Sequence, residues 1–268
     1  MCKPRGVTAT ICRTNPSRNW PLAIAVSGGV DSLTLATYAH RFFPGMVKIF
    51  HSATPSVPPQ ATNRLRVLAA KEGWSLQVID ANEFNDKNYI SNPVNRCFFC
   101  KTNLYATIRK FTKDQILSGA NKDDLKEFRP GLSAAQKYGV RHPFVEVGLG
   151  KSEIRALAKN LGLADISELP SSPCLSSRVE TGIHIQRNVL TLINETELLI
   201  NENLRPETVR CRIRSGGVYI ELDNISMSKL TSDLRRKLSL ETERIFSSAG
   251  FDYKVNFDHY RLGSAFLN

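Results

Sequence analysis

The densest chemistry in this 268-residue chain lies in one hexapeptide, Ser27-Gly-Gly-Val-Asp31-Ser32. An apolar run, 22–26, precedes it. A segment over 31–42 follows, with Leu33, Leu35, Ala36 and Ala39 available for packing. The peptide therefore reads as the turn between a buried strand and a helix, where outward-pointing backbone N–H groups form a nest for an anion. Gly28 and Gly29 open backbone angles closed to other residues and let a phosphate approach. Ser27 and Ser32 add hydroxyls, and Asp31 is placed to hold a Mg2+ ion that bridges phosphates. Ser27, Gly28, Gly29, Val30, Asp31 and Ser32 are the expected phosphate contacts. The turn is neither the Walker loop, which needs a lysine, nor G-x-G-x-x-G. The plainer alternative is a structural Gly-Gly turn.

Cysteine supplies the second set of reactive groups. Cys97-Phe-Phe-Cys100 is a C-x-x-C, which alone fits zinc, an iron–sulfur centre or a redox pair. A closed zinc site takes four ligands, yet no second C-x-x-C and no H-x(3–5)-H pair is present. Cys174 stands in Ser172-Pro-Cys174-Leu-Ser-Ser177-Arg178. The competing reading makes these cysteines small buried hydrophobes. Cys2 and Cys12 lie in a weakly patterned segment and are read as incidental. His40, His51, His142, His184 and His259 lack ligand spacing and are read as structural. Arg210, Arg212 and Arg214 alternate along an expected strand, so they share one face and suit a phosphate, unless that face is merely solvated. Cys211 points to the opposite face and is read as core.

Positioning these groups requires strands alternating with helices. Strands are expected at 22–26, 46–50, 76–79, 115–117 and 144–147, and helices at 31–42, 60–72, 104–111 and 152–161, the last capped by Ser152 and stopped by Gly162. That alternation implies a parallel sheet covered on both faces. After Pro170 the pattern becomes helix 188–201, strands 208–214 and 218–222 around Ser215-Gly-Gly, helix 226–248 and a last strand at 253–257. The expected organisation is an N-terminal extension over 1–20, an α/β nucleotide domain over 21–175 and a small α+β domain over 176–268.

The net charge is +11, with 41% apolar residues. The charge favours an anionic partner such as a nucleotide, a phosphorylated metabolite or RNA, although no Lys/Arg run accompanies it. No apolar run approaches 18 residues, and residues 1–20 lack the apolar core of a signal peptide, so a cytoplasmic protein without a membrane partner is expected.

The Ser27–Ser32 hexapeptide resembles the phosphate loop of the PP-loop ATP pyrophosphatases, and Ser118-Gly119-Ala-Asn121-Lys-Asp123-Asp124 resembles that family's second nucleotide segment. Closer in, Arg96-Cys97, Cys100-Lys101, Arg129-Pro-Gly131, Lys151-Ser-Glu-Ile-Arg155, Cys174-Leu-Ser-Ser-Arg178 and Tyr260-Arg261-Leu-Gly263-Ser264 resemble, in order, the LarE family of sulfur transferases over roughly residues 22–265. This resemblance implies a Rossmann-like PP-loop domain that binds ATP, with Gly119, Asn121 and Asp124 adding nucleotide contacts and Arg210 and Arg212 binding an anion. It implies ATP cleavage to AMP and pyrophosphate, with Asp31, Cys174, Ser177 and Arg178 as catalytic residues. One type in that family sacrifices a single cysteine at the position of Cys174; the other holds a 4Fe–4S cluster on three cysteines, matching Cys97, Cys100 and Cys174. The acceptor would be a nucleotide-like small molecule, with tRNA as the lesser candidate, and the assembly a homo-oligomer. The sequence departs from the family at Ile166-Ser-Glu-Leu-Pro170 and after Arg178, which leaves the acceptor open. An amidating ligase using ammonia and a non-catalytic nucleotide-binding module are the competing readings.

Overall fold

The structure, a computed structural model, describes Val7 and residues 21–261 apart from Glu127 and Ser172. The expected extension, Cys2 and Cys12 included, and positions 262–264 of the C-terminal motif lie outside the described residues, Val7 excepted. In chain order the elements are β1 (Leu22–Ala25), α1 (Val30–Phe42), β2 (Val47–Ser52), α2 (Pro59–Glu72), β3 (Ser75–Ile79), α3 (Lys87–Ile90), α4 (Arg96–Phe111), β4 (Gln115–Ser118), α5 (Pro130–Lys137), α6 (Pro143–Glu146), α7 (Lys151–Asn160) and α8 (Ala164–Ser167). Then come α9 (Arg187–Leu204), β5 (Val209–Arg214), β6 (Gly217–Leu222), α10 (Asn224–Ser228), α11 (Ser232–Ser247) and β7 (Val255–His259). Among the described residues no helix is long and apolar enough to cross a membrane.

The fold is α/β. Strands β3-β2-β1-β4 form an all-parallel sheet, and β5-β6-β7 form a smaller mixed sheet. The chain divides into two compact units, Met1–Glu83 with Cys97–Ser172, and Phe84–Arg96 with Pro173–Asn268. The excursion Phe84–Arg96 into the second unit had no signature in the sequence.

In the first unit, β1 is buried on both faces, as a central parallel strand must be. Leu22, Ile24 and Val26 pack with Leu33, Leu35, Leu65, Ile154 and Leu157 on one side. Ala23 and Ala25 turn to the other, where their small size admits Tyr105, Ile108 and Ile116. Burying each large aliphatic chain contributes roughly 1.5–3 kcal/mol. β1 also lies where the strand order reverses, with β2 on one flank and β4 on the other. In such sheets the crevice for ligands opens beyond the carboxyl ends of these strands.

Several elements differ from the expectation. The run at 144–147 forms the helical turn α6, not a strand. Pro143 presets its first turn, and Glu146 N–H reaches His142 O at 3.0 Å. A four-residue run with three apolar positions is too short to carry a period that separates strand from helix. α4 starts at Arg96, eight positions before the expected 104, so the C-x-x-C sits in its first turn. α7 is capped at Gly150, whose N–H donates to Glu153 Oε2 at 2.9 Å, so Ser152 is inside the helix and Lys151 opens it. The helix expected over 226–248 breaks, because Thr231 caps α11 by accepting from Leu234 N–H at 3.3 Å.

At the end of β4, a Cβ on Gly119 would lie 2.7 Å from Ser32 N and 2.9 Å from Asp31 C. Gly119→Ala is expected to cost about 1–3 kcal/mol, because backbone must yield. Urea unfolding measures it; a loss below about 0.5 kcal/mol contradicts the close approach.

Candidate functional site

The turn after β1 is shaped by its own hydroxyls and by its neighbours. Ser32 Oγ accepts from Ser27 N–H at 3.2 Å and donates to Gly29 O at 3.1 Å. Ser27, exposed, lies 3.2 Å from the same hydroxyl. Gly28 has φ +85, and a Cβ there would stand 3.0 Å from Ala61 O. Gly29 caps α1 without a side-chain bond, so the first N–H groups of the helix face the turn. His51, buried, donates from Nδ1 to Val26 O at 2.8 Å and accepts at Nε2 from the Thr62 hydroxyl at 2.9 Å. Burial lowers its proton affinity. Its role is structural, tying β1, β2 and α2 together.

Asp31 projects from the first turn of α1. Its Oδ2 lies 2.6 Å from Lys151 Nζ, while its Oδ1 is buried and, among the described residues, has no hydrogen-bond partner. Burial raises the carboxyl above its ordinary value; Lys151 opposes this and the nearby charge of Asp124 adds to it. Lys151 is itself placed by its backbone, whose N–H donates to Asp123 Oδ2 at 2.8 Å. Asn121, buried, accepts at Oδ1 from Asp123 N–H at 2.9 Å and donates its N–H to Asp124 Oδ2 at 3.0 Å. Asp124 is also paired with Arg129 at 2.8 Å. The first unit thus gathers residues 27–32, Gly119, Asn121 and Asp124. Sequence reasoning left Lys151 and Asp123 out of the site, although the Lys151 motif was visible. His142 is a neighbour as well: its Nδ1 lies 2.8 Å from Ser118 Oγ, and burial lowers its proton affinity.

Cys97 and Cys100, both half-buried, belong to the first unit, one turn apart on α4. Cys174, exposed, belongs to the second, as do Ser177, Arg178, Arg210 and Arg212. Among the described residues, no group of three or more His, Cys, Asp or Glu is gathered to hold a metal ion.

In the second unit, Cys174 caps the 3-10 turn Leu175–Arg178. Its carbonyl accepts from Ser177 N–H at 3.0 Å, Ser177 Oγ at 2.7 Å and Arg178 Nη1 at 3.1 Å. Arg178 Nη1 also reaches Pro173 O at 2.6 Å. The rest of this buried guanidinium pairs with Glu197 at 2.9 and 3.0 Å. Burial alone would lower its proton affinity; Glu197 more than offsets that. Glu197 accepts from Cys211 N–H at 3.0 Å; Cys211 is fully buried and so belongs to the core, and that burial drives its thiol far up. Tyr89 OH lies 2.6 Å from Ser176 Oγ. Asn92, at φ 54, donates to Glu180 O at 2.8 Å and Ile183 O at 3.0 Å, and accepts from Arg96 at 2.6 Å. Asn92 therefore ties the two stretches of the second unit, Phe84–Arg96 and Pro173–Asn268, to each other.

The alternating arginines carry less net positive charge than their spacing led one to expect. Glu221, buried on β6, takes up Arg212 at 2.7 Å and also bonds Arg214. Arg212 further donates to Ser177 O at 2.9 Å, while Arg210 stacks over Tyr260 at 5.7 Å. A carboxylate on the neighbouring strand, invisible to the period-two pattern of β5, is the reason.

Fold and site define a Rossmann-like parallel α/β protein with a glycine-rich turn at the strand-order switch, followed by a small mixed-sheet domain. The chain belongs to the family of an uncharacterized protein of Synechocystis sp., with which it is 31% identical over 245 residues, 90% of each chain. An uncharacterized protein of Methanocaldococcus jannaschii is 28% identical over 251 residues, 91% of this chain and 92% of that one. The pyridinium-3,5-bisthiocarboxylic acid mononucleotide synthase of Lactiplantibacillus plantarum, of the LarE type, is a distant homologue, 25% identical over 206 residues, 75% of this chain and 74% of the synthase. No family model matches the chain.

Two outcomes follow from the charges. Because burial raises the Asp31 carboxyl, the unfolded chain releases that proton at lower pH than the folded one. Stability linked to Asp31 is therefore lost as pH rises past the ordinary carboxylate range and regained in acid. Asp31→Asn should raise the nucleotide-free Tm at neutral pH and leave it unchanged near pH ~3; a lowered Tm at neutral pH contradicts this. Glu197→Gln strands the Arg178 cation and should cost roughly 3 kcal/mol in urea unfolding. A cost under about 1 kcal/mol would mean the pair is not what holds the Cys174 turn.

Proposed function

We propose that this chain is an ATP-dependent sulfur transferase. An oxygen of the acceptor attacks the α-phosphorus of ATP, pyrophosphate leaves, and sulfur delivered at the cysteine site displaces AMP. The observation that carries this reading is Asp31: a desolvated carboxylate with a buried, unpartnered Oδ1, at the glycine-rich turn of the switch-point strand. A group of that kind fits a divalent cation arriving with a nucleotide, and Asp31 would hold it. The cation would neutralise phosphate charge. The open N–H groups of residues 28–32 bind the phosphates, and Lys151, 2.6 Å from Asp31, lies within reach of the same charge.

Cysteine supports the sulfur half. Cys174 is exposed on a turn whose carbonyls are held by Arg178, so its thiol is presented on a fixed backbone. By the family resemblance, Cys97, Cys100 and Cys174 would hold a 4Fe–4S cluster, since three thiolates suit three irons, and the cluster would supply a transferable sulfide. Without it, the sulfur of Cys174 is the donor. The Lactiplantibacillus synthase is named for a sulfur-bearing mononucleotide. We extend that class to this chain, making its acceptor a small nucleotide-like acid.

Asp31→Ala is expected to lower pyrophosphate release at least about a hundredfold. Cys174→Ala should abolish sulfur transfer while AMP and pyrophosphate still form. Product analysis with labelled ATP decides. ADP and phosphate as products, or normal sulfur transfer by Cys174→Ala, overturn the proposal.

A further inference from the structure

Arg64 lies on α2, three positions after Ala61, and both residues meet the glycine-rich turn. Ala61 O stands 3.0 Å from where a Cβ on Gly28 would be, so α2 is seated on the turn with no space between. Arg64 Nη1 donates to Gly28 O at 3.0 Å. The side chain is half-buried, and burial acts on it unopposed. Among the described residues, no carboxylate answers this guanidinium.

Four other arginines show how such a cation is provided for. Arg178 has Glu197 and Arg212 has Glu221. Arg109 reaches Asp114 O at 2.6 Å and Tyr138 O at 3.2 Å, and Arg41 has Glu72 at 2.7 Å. A guanidinium carries five N–H donors, and here the Gly28 carbonyl takes one. A partly desolvated cation without a counter-charge is costly, and an anion that pairs with it removes the cost. The turn beside it presents backbone N–H groups to an anion as well. A guanidinium and a phosphate are matched in geometry and charge.

We propose that Arg64 is a phosphate-contacting residue: it grips the phosphate chain cradled by residues 27–32 and stabilises pyrophosphate as it leaves. This rests on reading that turn as the nucleotide site. As the acceptor oxygen bonds the α-phosphorus, the bond from that phosphorus to the bridging oxygen breaks. Its electron pair stays on the β-phosphate, and Arg64 answers that charge without giving up a proton. The contact with Gly28 O fixes the guanidinium beforehand, so little reorganisation accompanies the step.

The test is calorimetric titration of the full chain with inorganic pyrophosphate and, separately, with ATP, each with Mg2+, for wild type, Arg64→Gln and Arg64→Lys. Expected is a loss of pyrophosphate affinity of roughly tenfold or more in Arg64→Gln, with partial recovery in Arg64→Lys. The Tm without ligand should stay near wild type. Affinity within about twofold of wild type in Arg64→Gln overturns the role of Arg64 while ATP binding still upholds the site. Wild type that binds neither ATP nor pyrophosphate overturns the nucleotide site, and Arg64 with it. Should Arg64→Gln fail to fold, phenylglyoxal labelling of wild type, mapped by mass spectrometry, decides. Protection of Arg64 by pyrophosphate supports the role, and unchanged labelling under saturating pyrophosphate overturns it.

Discussion

Two backbones press on the turn that leaves β1, and neither leaves room for a side chain. α2 meets Gly28 through Ala61, and the end of β4 meets Ser32 and Asp31 through Gly119. The other groups of that site are registered to this contact. α1 leaves the turn at a fixed angle and carries Asp31. The chain after Gly119 winds directly into Asn121, Asp123 and Asp124, and Asp123 in turn receives the first backbone N–H of α7. A substitution that pushed these backbones apart would misplace every charge at once, because none of them sits on a segment of its own.

The two units treat charge in opposite ways. In the second, the two cations bonded to the Cys174 turn are answered: Arg178 by Glu197 and two carbonyls, Arg212 by Glu221 and Ser177 O. Such saturation makes a rigid turn. In the first, Asp31 keeps an unsatisfied oxygen. A fully satisfied network holds one geometry, whereas an unsatisfied group stores a preference for something not yet bound. Under the proposed function, the saturated turn would present the thiol and the unsatisfied group would receive the charged substrate.

What could be read from the sequence was local. The apolar run before Ser27, the paired glycines and the alternation of strands and helices each report on a few neighbouring residues. They led correctly to β1, α1 and the parallel sheet. What stayed hidden was pairing across distance. Lys151 meets Asp31 from 120 positions away, and Glu197 meets Arg178 across a turn and half a helix. Glu221 quiets the arginines of β5 from the adjoining strand, which no pattern within β5 records. The short run around Phe144 failed for another reason, since one turn of helix and one short strand share the same apolar signature. Cys211 was legible as core because its neighbours on the strand alternate cleanly.

The route of the backbone has its own consequence. The second unit is built from two stretches, Phe84–Arg96 and Pro173–Asn268, separated by the Cys97–Ser172 part of the first unit. Asn92 bonds carbonyls 87, 88 and 91 positions later. The loop so closed is long, yet the entropy of closure grows only with the logarithm of length. A fragment cut at Pro173 therefore lacks the amide of Asn92 and the phenol of Tyr89, and the carbonyls of Val179, Glu180 and Ile183 lose their donors. The carboxyl-terminal third is thus not an independent module. It is completed by thirteen residues lent from the middle of the other unit, so the two cannot be shuffled apart in evolution or in the laboratory without leaving that gap.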